Sequence, residues 1–158
     1  MKQEISIRTY RPEDVQDLAN IYFNTIHCVN IKHYTQKQVD VWAPKSSLEI
    51  EGWAKKFART NPIIAVAGEK IIGFAEFEPT GYIDCFYCHH EWISKGVGSA
   101  LMTEILKKAK SYNIDRIFSE VSITAKPFFE KWGFAVLIEQ TVIKKGVELT
   151  NYKMEKTL

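Results

Sequence analysis

The chain has 158 residues, of which 46% are hydrophobic and 25% are charged, and this composition is typical of one globular domain. Lys and Arg number 21 and Asp and Glu number 19, so the net charge of +2 is too small to indicate binding to nucleic acid or to an anionic membrane. No apolar stretch approaches the ~20 residues that span a bilayer, and the N-terminus lacks a signal-peptide pattern. We therefore expect a single domain over residues 1–158 in a cytoplasmic protein, with no nucleic-acid or membrane partner.

The first third of the chain predicts helices more than strands. Residues 5–8 alternate like a short strand, and residues 12–27 predict an amphipathic helix with apolar side chains at spacings of three and four. Trp42, Trp53 and Phe57 follow at helical spacings. We interpret these large aromatic side chains as core residues rather than as an acceptor pocket.

The rest of the chain predicts a mixed α/β fold around a central sheet. β-rich runs separated by turn residues predict three sequential antiparallel strands. An amphipathic helix follows a turn that contains Gly96 and Gly98, and a buried strand, a short helix and two closing strands complete the chain. The predicted strands cover residues 63–67, 70–78, 82–88, 116–121, 134–142 and 147–154, and the predicted helices end near Tyr112 and Gly133.

The turn with Gly96 and Gly98 is the strongest local signal for a ligand. Glycine lets a backbone approach a ligand closely, and the N–H groups at a helix start carry partial positive charge that suits phosphate oxygens. A tight turn that uses glycine only for its bend explains the same residues equally well. The chain has no third glycine at Rossmann spacing and no Gly-Lys-Ser/Thr, so dinucleotide-binding and P-loop interpretations both fail.

Short motifs spread over almost the whole chain form a specific combination. They are His33-Tyr34-Thr35, Trp42-Ala43-Pro44, Tyr82-Ile83-Asp84-Cys85-Phe86-Tyr87-Cys88, Glu91-Trp92, Lys95-Gly96-Val97-Gly98-Ser99-Ala100-Leu101, residues 122–134, Leu149-Thr150-Asn151-Tyr152 and Met154. Together these segments resemble the GNAT superfamily of acyl-CoA-dependent N-acyltransferases, and most of all its small bacterial YafP-like branch.

The resemblance implies a mixed, mostly antiparallel sheet of about seven strands, with helices on both faces and with the fourth and fifth strands splayed apart. Acetyl-CoA would enter the gap between those strands as a co-substrate. Its pantetheine arm would pair with the fourth strand, at Phe86, Tyr87 and Cys88. The pyrophosphate would lie on the backbone amides of Ile93, Ser94, Lys95, Gly96, Val97, Gly98 and Ser99.

Three positions depart from the pattern that the resemblance implies. Ile93 stands where the family usually has Arg or Gln, so phosphate binding would depend on main-chain donors with help from Lys95 and Ser94. Phe129 replaces the usual tyrosine that protonates the departing CoA thiolate, and it would lie against the sulfur end of the cofactor. Ser122 stands where the family often has a cofactor-contacting Asn.

The function that follows from the resemblance is direct transfer of an acetyl group to a primary amine. A backbone N–H of Phe86 or Cys88 would polarise the thioester carbonyl. Asp84, expected on the same strand face as Phe86, is the first candidate base, ahead of Glu76 and Glu78. Water or Ser122 would protonate the thiolate. The acceptor stays open between a small-molecule amine and a peptide amine, and the oligomeric state between monomer and homodimer.

Two other classes of function remain as alternatives. The missing Arg or Gln and the missing tyrosine also fit a non-catalytic module that only binds acyl-CoA. The run Cys85-Phe86-Tyr87-Cys88-His89 matches a C-x-x-C-H haem-attachment pattern. Side chains alternate along a strand, so Cys85 and Cys88 should point to opposite faces, and we expect no metal site there. With Cys28, the cysteines are odd in number and favour free thiols over disulfides.

Overall fold

A computed structural model describes residues 4–158, which form one seven-stranded sheet with helices on both faces. The strand order is β1-β2-β3-β4-β5-β7-β6. Every neighbouring pair is antiparallel except β4 and β5, which are parallel. The strands are β1 (Ile5–Thr9), β2 (Ile63–Ala67), β3 (Lys70–Phe77), β4 (Tyr82–Cys88), β5 (Arg116–Ser122), β6 (Ala135–Lys144) and β7 (Val147–Thr157). The predicted mixed, mostly antiparallel sheet is confirmed.

Within residues 4–158, five α-helices cover the two faces of the sheet. They are α1 (Val15–Cys28), α2 (Gln36–Trp42), α3 (Glu51–Thr60), α4 (Val97–Ser111) and α5 (Lys126–Lys131). On one face, α4 buries Leu101 and Ile105 against the sheet. On the other face, α1 and α3 bury Leu18 and Phe57. The first helix begins three residues later than predicted, because a 3-10 turn, Pro12–Asp14, precedes it.

A β-bulge changes which face the second half of β4 presents. Ala75 of β3 pairs with Phe86 and Phe77 pairs with Ile83, so β4 advances three residues where β3 advances two. An extra residue in one strand shifts the alternation of its side chains. As a result Ile83 and Phe86 both pack toward α4, whereas Cys85 packs toward α1 and α3.

Within residues 4–158, none of the helices combines the length and the apolar character that a membrane crossing would need.

Candidate active site

β4 and β5 are paired only where the two strands begin. Their register includes Tyr82 with Phe118 and Ile83 with Ser119, and it extends no further along the described strands. Ser119 Oγ then donates a 2.7 Å hydrogen bond to the Ile83 carbonyl, at the point where the strands separate. The predicted gap between the fourth and fifth strands is therefore present, and its inner end lies at Asp84.

The exposed edge of β4 presents N–H groups to this gap. The N–H of His89 donates to the Ile72 carbonyl at 2.8 Å, so residue 89 faces β3. N–H groups alternate in direction along an antiparallel strand. Those of Phe86 and Cys88 therefore point away from β3 and toward the gap. The Cys88 carbonyl points the same way and accepts a 2.7 Å hydrogen bond from Thr25 Oγ1.

A first cleft of about 600 Å³ fills the gap on the α4 side. Its lining contains the predicted donor-site residues except Lys95 and Val97, and of the predicted catalytic side chains it contains Asp84 and Ser122 but not Glu76 or Glu78. Val97 is only 1% exposed and packs into the core below α4. Lys95 lies outside the cleft, with its ammonium 5.4 Å from the centre of the Trp92 ring. The predicted members of the lining are Asp84, Phe86, Tyr87, Cys88, Ile93, Ser94, Gly96, Gly98, Ser99, Ser122 and Phe129.

Two glycines shape the entrance to α4 for different reasons. Gly96, the residue before the helix, has a φ of 93°, which side-chain-bearing residues rarely adopt. Gly98 has ordinary backbone geometry, but a Cβ there would lie 2.9 Å from Cε1 of Phe128. Ile93 is partly exposed and lines the first cleft, and its hydrocarbon side chain offers no charge to a phosphate. The start of α4 borders the first cleft through Gly96, Gly98 and Ser99.

Phe129 and Ser122 lie on the opposite wall of the first cleft. Phe129 is 2% exposed, and its ring centre lies 5.5 Å from that of Phe86 and 4.9 Å from that of Phe134. Ser122 Oγ accepts hydrogen bonds from the Ala125 N–H at 3.0 Å and from Asn30 Nδ2 at 3.4 Å. Its hydroxyl hydrogen can still be donated while the oxygen accepts both.

A second cleft of about 470 Å³ lies on the other side of the gap. It shares lining residues with the first cleft at the inner end, where β4 and β5 separate. The shared residues are Trp42, Asp84, Tyr87, Glu120 and Ser122. The two clefts therefore meet between β4 and β5.

Three charged side chains form a cluster at the wall of the second cleft, in which Glu76 is buried and Lys56 and Asp84 are partly exposed. The Lys56 ammonium lies 3.0 Å from a carboxylate oxygen of Glu76 and 2.9 Å from one of Asp84. Glu76 has no exposed surface and also accepts a 2.5 Å hydrogen bond from Thr60 Oγ1. Burial opposes the charge on Lys56, yet its pKa is raised because the neighbouring carboxylates favour the ammonium. The ammonium form is thus fixed between two acids.

The sequence-predicted bases are not equivalent in the structure. Asp84 lines both clefts, whereas Glu76 is buried behind Lys56 and Glu78 lies at the end of β3, outside both linings. The expectation that Asp84 and Phe86 share a strand face is wrong. The bulge in β4 places Asp84 with Cys85 beside Lys56, while Phe86 packs on the α4 side.

The aromatic residues of α2 and α3 divide between core and cleft. Phe57 is fully buried, as the sequence predicts. Trp42 and Trp53 are partly buried: they pack against the core, as the sequence predicts, and they also line the second cleft, which the sequence interpretation did not expect. The cause is local: Trp53 Nε1 donates to the Ser47 carbonyl at 2.8 Å, which holds the indole at the cleft wall with one face on Phe57. Lys56 and Glu120 also line this cleft and were not predicted.

The cleft thiols are protonated at neutral pH. Burial raises the pKa of Cys88 to about 12 and raises that of Cys85 well above its ordinary value. The two cysteines pack into clusters on opposite faces of the sheet, so they cannot close on one ion. His89, His90 and Glu91 do bring ligand-type atoms within 4.8 Å of one another, but neither cysteine belongs to that group.

Known proteins resemble this chain over nearly its whole length. A family model described as an acetyltransferase (GNAT) domain matches residues 30–156. The uncharacterized N-acetyltransferase YafP of Escherichia coli strain K12 is 32% identical over 150 residues, which cover 95% of this chain and 94% of that protein.

Two solved structures share the fold. A GCN5-related N-acetyltransferase from Rhodopseudomonas palustris, described as an aminotransferase of class II, has a TM-score of 0.92 at 26% identity and covers 100% of this chain and 98% of its own. The PaiA N-acetyltransferase of Thermoplasma acidophilum, solved with coenzyme A, has a TM-score of 0.78 at 20% identity. The match covers 98% of this chain and 99% of that chain. The chain thus belongs to the GNAT family and is an acetyl-CoA-dependent N-acetyltransferase.

Proposed function

We propose that this enzyme transfers the acetyl group directly from acetyl-CoA in the first cleft to a primary amine that enters through the second cleft. The observation that carries the proposal is the loss of β4–β5 pairing after Ile83, because it opens a passage between the two clefts. Direct transfer needs both reactants at one point without an intervening strand. Asp84 and Ser122 line both clefts at that point.

The pantetheine and pyrophosphate of acetyl-CoA have complementary partners in the first cleft. Pantetheine amides can pair with the outward edge of β4 at residues 86–88, as another strand would. The pyrophosphate can accept hydrogen bonds from N–H groups at the start of α4, where Gly96 and Gly98 leave room for close approach. Because Ile93 contributes no charge, this site depends on main-chain donors and on the helix dipole.

The N–H groups of Phe86 and Cys88 supply the oxyanion site. The amine nitrogen attacks the thioester carbon, and the carbonyl π electrons move to the oxygen, which becomes an anion. An N–H that already points into the gap stabilises this charge without reorganisation. When the tetrahedral intermediate collapses, the C–S bond breaks and the electron pair leaves on sulfur.

The proton of the attacking amine passes to Asp84, directly or through one water molecule. Asp84 is the acid that lies where the two clefts meet, whereas Glu76 is buried behind Lys56. The leaving thiolate needs no strong acid, because a thiol with a pKa of ~8.5 departs partly as the anion near neutral pH. Water or the Ser122 hydroxyl then returns a proton to sulfur, which replaces the phenol absent at Phe129.

The direct test is release of free CoA thiol from acetyl-CoA by the purified chain with a panel of primary amines. We expect acceptor-dependent thiol release, with one N-acetylated product formed for each thiol. Tight binding of acetyl-CoA with no release for any amine would overturn the proposal and leave a protein that only binds the cofactor. Calorimetric titration with CoA on the same sample separates that outcome from loss of the cofactor site.

A further inference from the structure

The second cleft is small and bounded on several sides. Its volume of about 470 Å³ lies toward the lower end of the range for small-molecule pockets. Residues 142–144 and 149–151 of the β6–β7 hairpin form one wall, and side chains of α1, α2 and α3 form the others. A small, compact molecule fits this space better than a chain segment of a protein substrate would.

The lining of the second cleft is dominated by six aromatic residues: Tyr22, Tyr34, Trp42, Trp53, Tyr82 and Tyr87. The polar atoms of several are already used inside the protein. The Tyr22 hydroxyl donates to the Trp42 carbonyl at 3.1 Å, and the Tyr34 hydroxyl donates to the Thr150 carbonyl at 2.7 Å. The lining therefore offers a ligand mainly aromatic ring surface, which binds aromatic rings and cations.

The inner end of the second cleft carries negative charge. Lys56 is neutralised by two carboxylates, those of Glu76 and Asp84, so this cation is not available to a substrate carboxylate. Glu120 adds an exposed carboxylate where the two clefts meet. Burial, followed by the charges of Asp84 and Glu120, raises the pKa of Tyr82 to about 12, which agrees with a negative potential at this end of the cleft. Lys144 lines the cleft only from the exposed end of β6.

We propose that the acceptor is a small primary amine with an aromatic body, a ring joined to the amine by a short chain, and with no carboxylate beside the amine. This inference rests on the proposed function and names its substrate class. The ring would stack among the aromatic side chains of the second cleft. The ammonium would be attracted to Asp84 and Glu120, while a carboxylate at the same end would be repelled by them.

The test compares matched amines that differ in one carboxylate: phenethylamine with phenylalanine, and tryptamine with tryptophan. We expect kcat/KM to be at least tenfold higher for each amine without the carboxylate. The amino acids have the lower amine pKa, so the neutral fraction alone would favour them and cannot produce this result. Equal or higher kcat/KM for the amino acids, or for spermidine or a short peptide, would overturn the inference while leaving N-acetyl transfer intact.

A charge-reversing variant tests the field directly. Glu120→Lys should lower the ratio of kcat/KM for phenethylamine to that for phenylalanine by at least tenfold, because the new ammonium attracts the carboxylate. Glu69→Lys makes the same charge change in the β2–β3 turn, outside both linings, and should leave the ratio unchanged. An unchanged ratio in Glu120→Lys with normal CoA affinity would overturn the inference. Absence of thiol release with every amine would instead count against the proposed function.

Discussion

The carboxylate of Asp84 lies 2.9 Å from the ammonium of Lys56, at the point where the two clefts meet. The same ammonium lies 3.0 Å from Glu76, which has no exposed surface. A lysine of α3 thereby compensates a buried acid of β3 and holds an acid of β4 where the two clefts meet. If Asp84 accepts the amine proton, as proposed, this one side chain couples stability to activity.

Removing Lys56 should lower the free energy of unfolding more than the loss of a surface ion pair does. In Lys56→Met the Glu76 carboxylate stays buried with only Thr60 as its donor. We expect a loss of about 3 kcal/mol, toward the low end for a broken buried pair because the Lys56 side chain is 28% exposed. Urea denaturation measures the change.

The double variant Lys56→Met/Glu76→Gln is the control for this prediction. It removes the uncompensated charge together with the lysine, so most of the lost stability should return. If the double variant were as unstable as the single one, packing of the lysine stem rather than charge would explain the loss.

The first cleft should be sensitive to a single methyl group at Gly98. A Cβ there would lie 2.9 Å from the Phe128 ring, so this ring, which lines the first cleft, must shift. We expect Gly98→Ala to weaken CoA binding about tenfold, or ~1.4 kcal/mol, with little change in thermal stability. Gly52→Ala, where a Cβ meets open space, is the matched control and should leave CoA affinity unchanged.

Gly96→Val tests the same loop by another route, because its φ of 93° strains any side chain. We expect a more than tenfold loss of CoA affinity, with some loss of stability as well. If both folded glycine variants kept full CoA affinity, the pyrophosphate could not bind at the start of α4 as proposed.

The sequence predicted the parts of the fold that follow local patterns. The run from β4 through Gly96 to α4 and the two closing strands lie within a few residues of their predicted positions. The strand alternation used for Asp84 and Phe86 failed because a bulge depends on the register with β3, which no local pattern reveals. The gap between β4 and β5 was implied only by the family resemblance.

The acceptor side was predicted less well, although the sequence contained a signal. Lys56 lies three residues after Trp53, and Phe57 lies four after it, so all three are close on one face of α3. A lysine on an apolar helix face either extends its ammonium to solvent or meets an acid partner. Glu76, within an otherwise apolar strand, is that acid. Recognising the pair requires knowing that α3 packs on β3 and β4, which is a tertiary relationship.

Cys88 lies in the donor cleft but should not act as a nucleophile. Its pKa of about 12 leaves the thiol protonated, and a thiolate is required for covalent transfer. Cys88→Ala should keep kcat within about threefold, whereas loss of a covalent nucleophile costs ~10⁴-fold or more. Initial-rate plots with both substrates varied should intersect, and parallel lines would indicate an acetyl-enzyme instead.

The same raised pKa predicts a pH dependence of stability. Above ~8.5 the unfolded chain releases the Cys88 proton while the folded chain keeps it, so native stability falls as the pH rises toward 12. Cys88→Ala should lose less stability than the parent protein between pH 7 and pH 10. Urea denaturation at the two pH values gives the comparison.

Phe129 should contribute packing rather than acid catalysis. Its ring is 2% exposed among Phe86, Phe128 and Phe134. Phe129→Ala should cost ~3 to 5 kcal/mol of stability, as for other buried aromatic truncations. Phe129→Tyr should fold and stay active, because the position lines the first cleft. An inactive but stable Phe129→Tyr protein would contradict this placement beside the thioester.

Asp84→Asn separates a catalytic from a structural role for this carboxylate. If Asp84 accepts the amine proton, kcat should fall ~100-fold or more near neutral pH, with CoA affinity little changed. Stability should fall by less than about 1 kcal/mol, because the Asp84 side chain is 32% exposed and Lys56 keeps Glu76 as a partner. The rate loss should shrink as the pH rises, since more of the amine is then neutral without a base. Rates over the pH range and the melting temperature of this variant decide between the roles. A variant that melts earlier but keeps the parent pH profile would assign Asp84 to the ion pair alone, and the proton would then leave through solvent or Glu120.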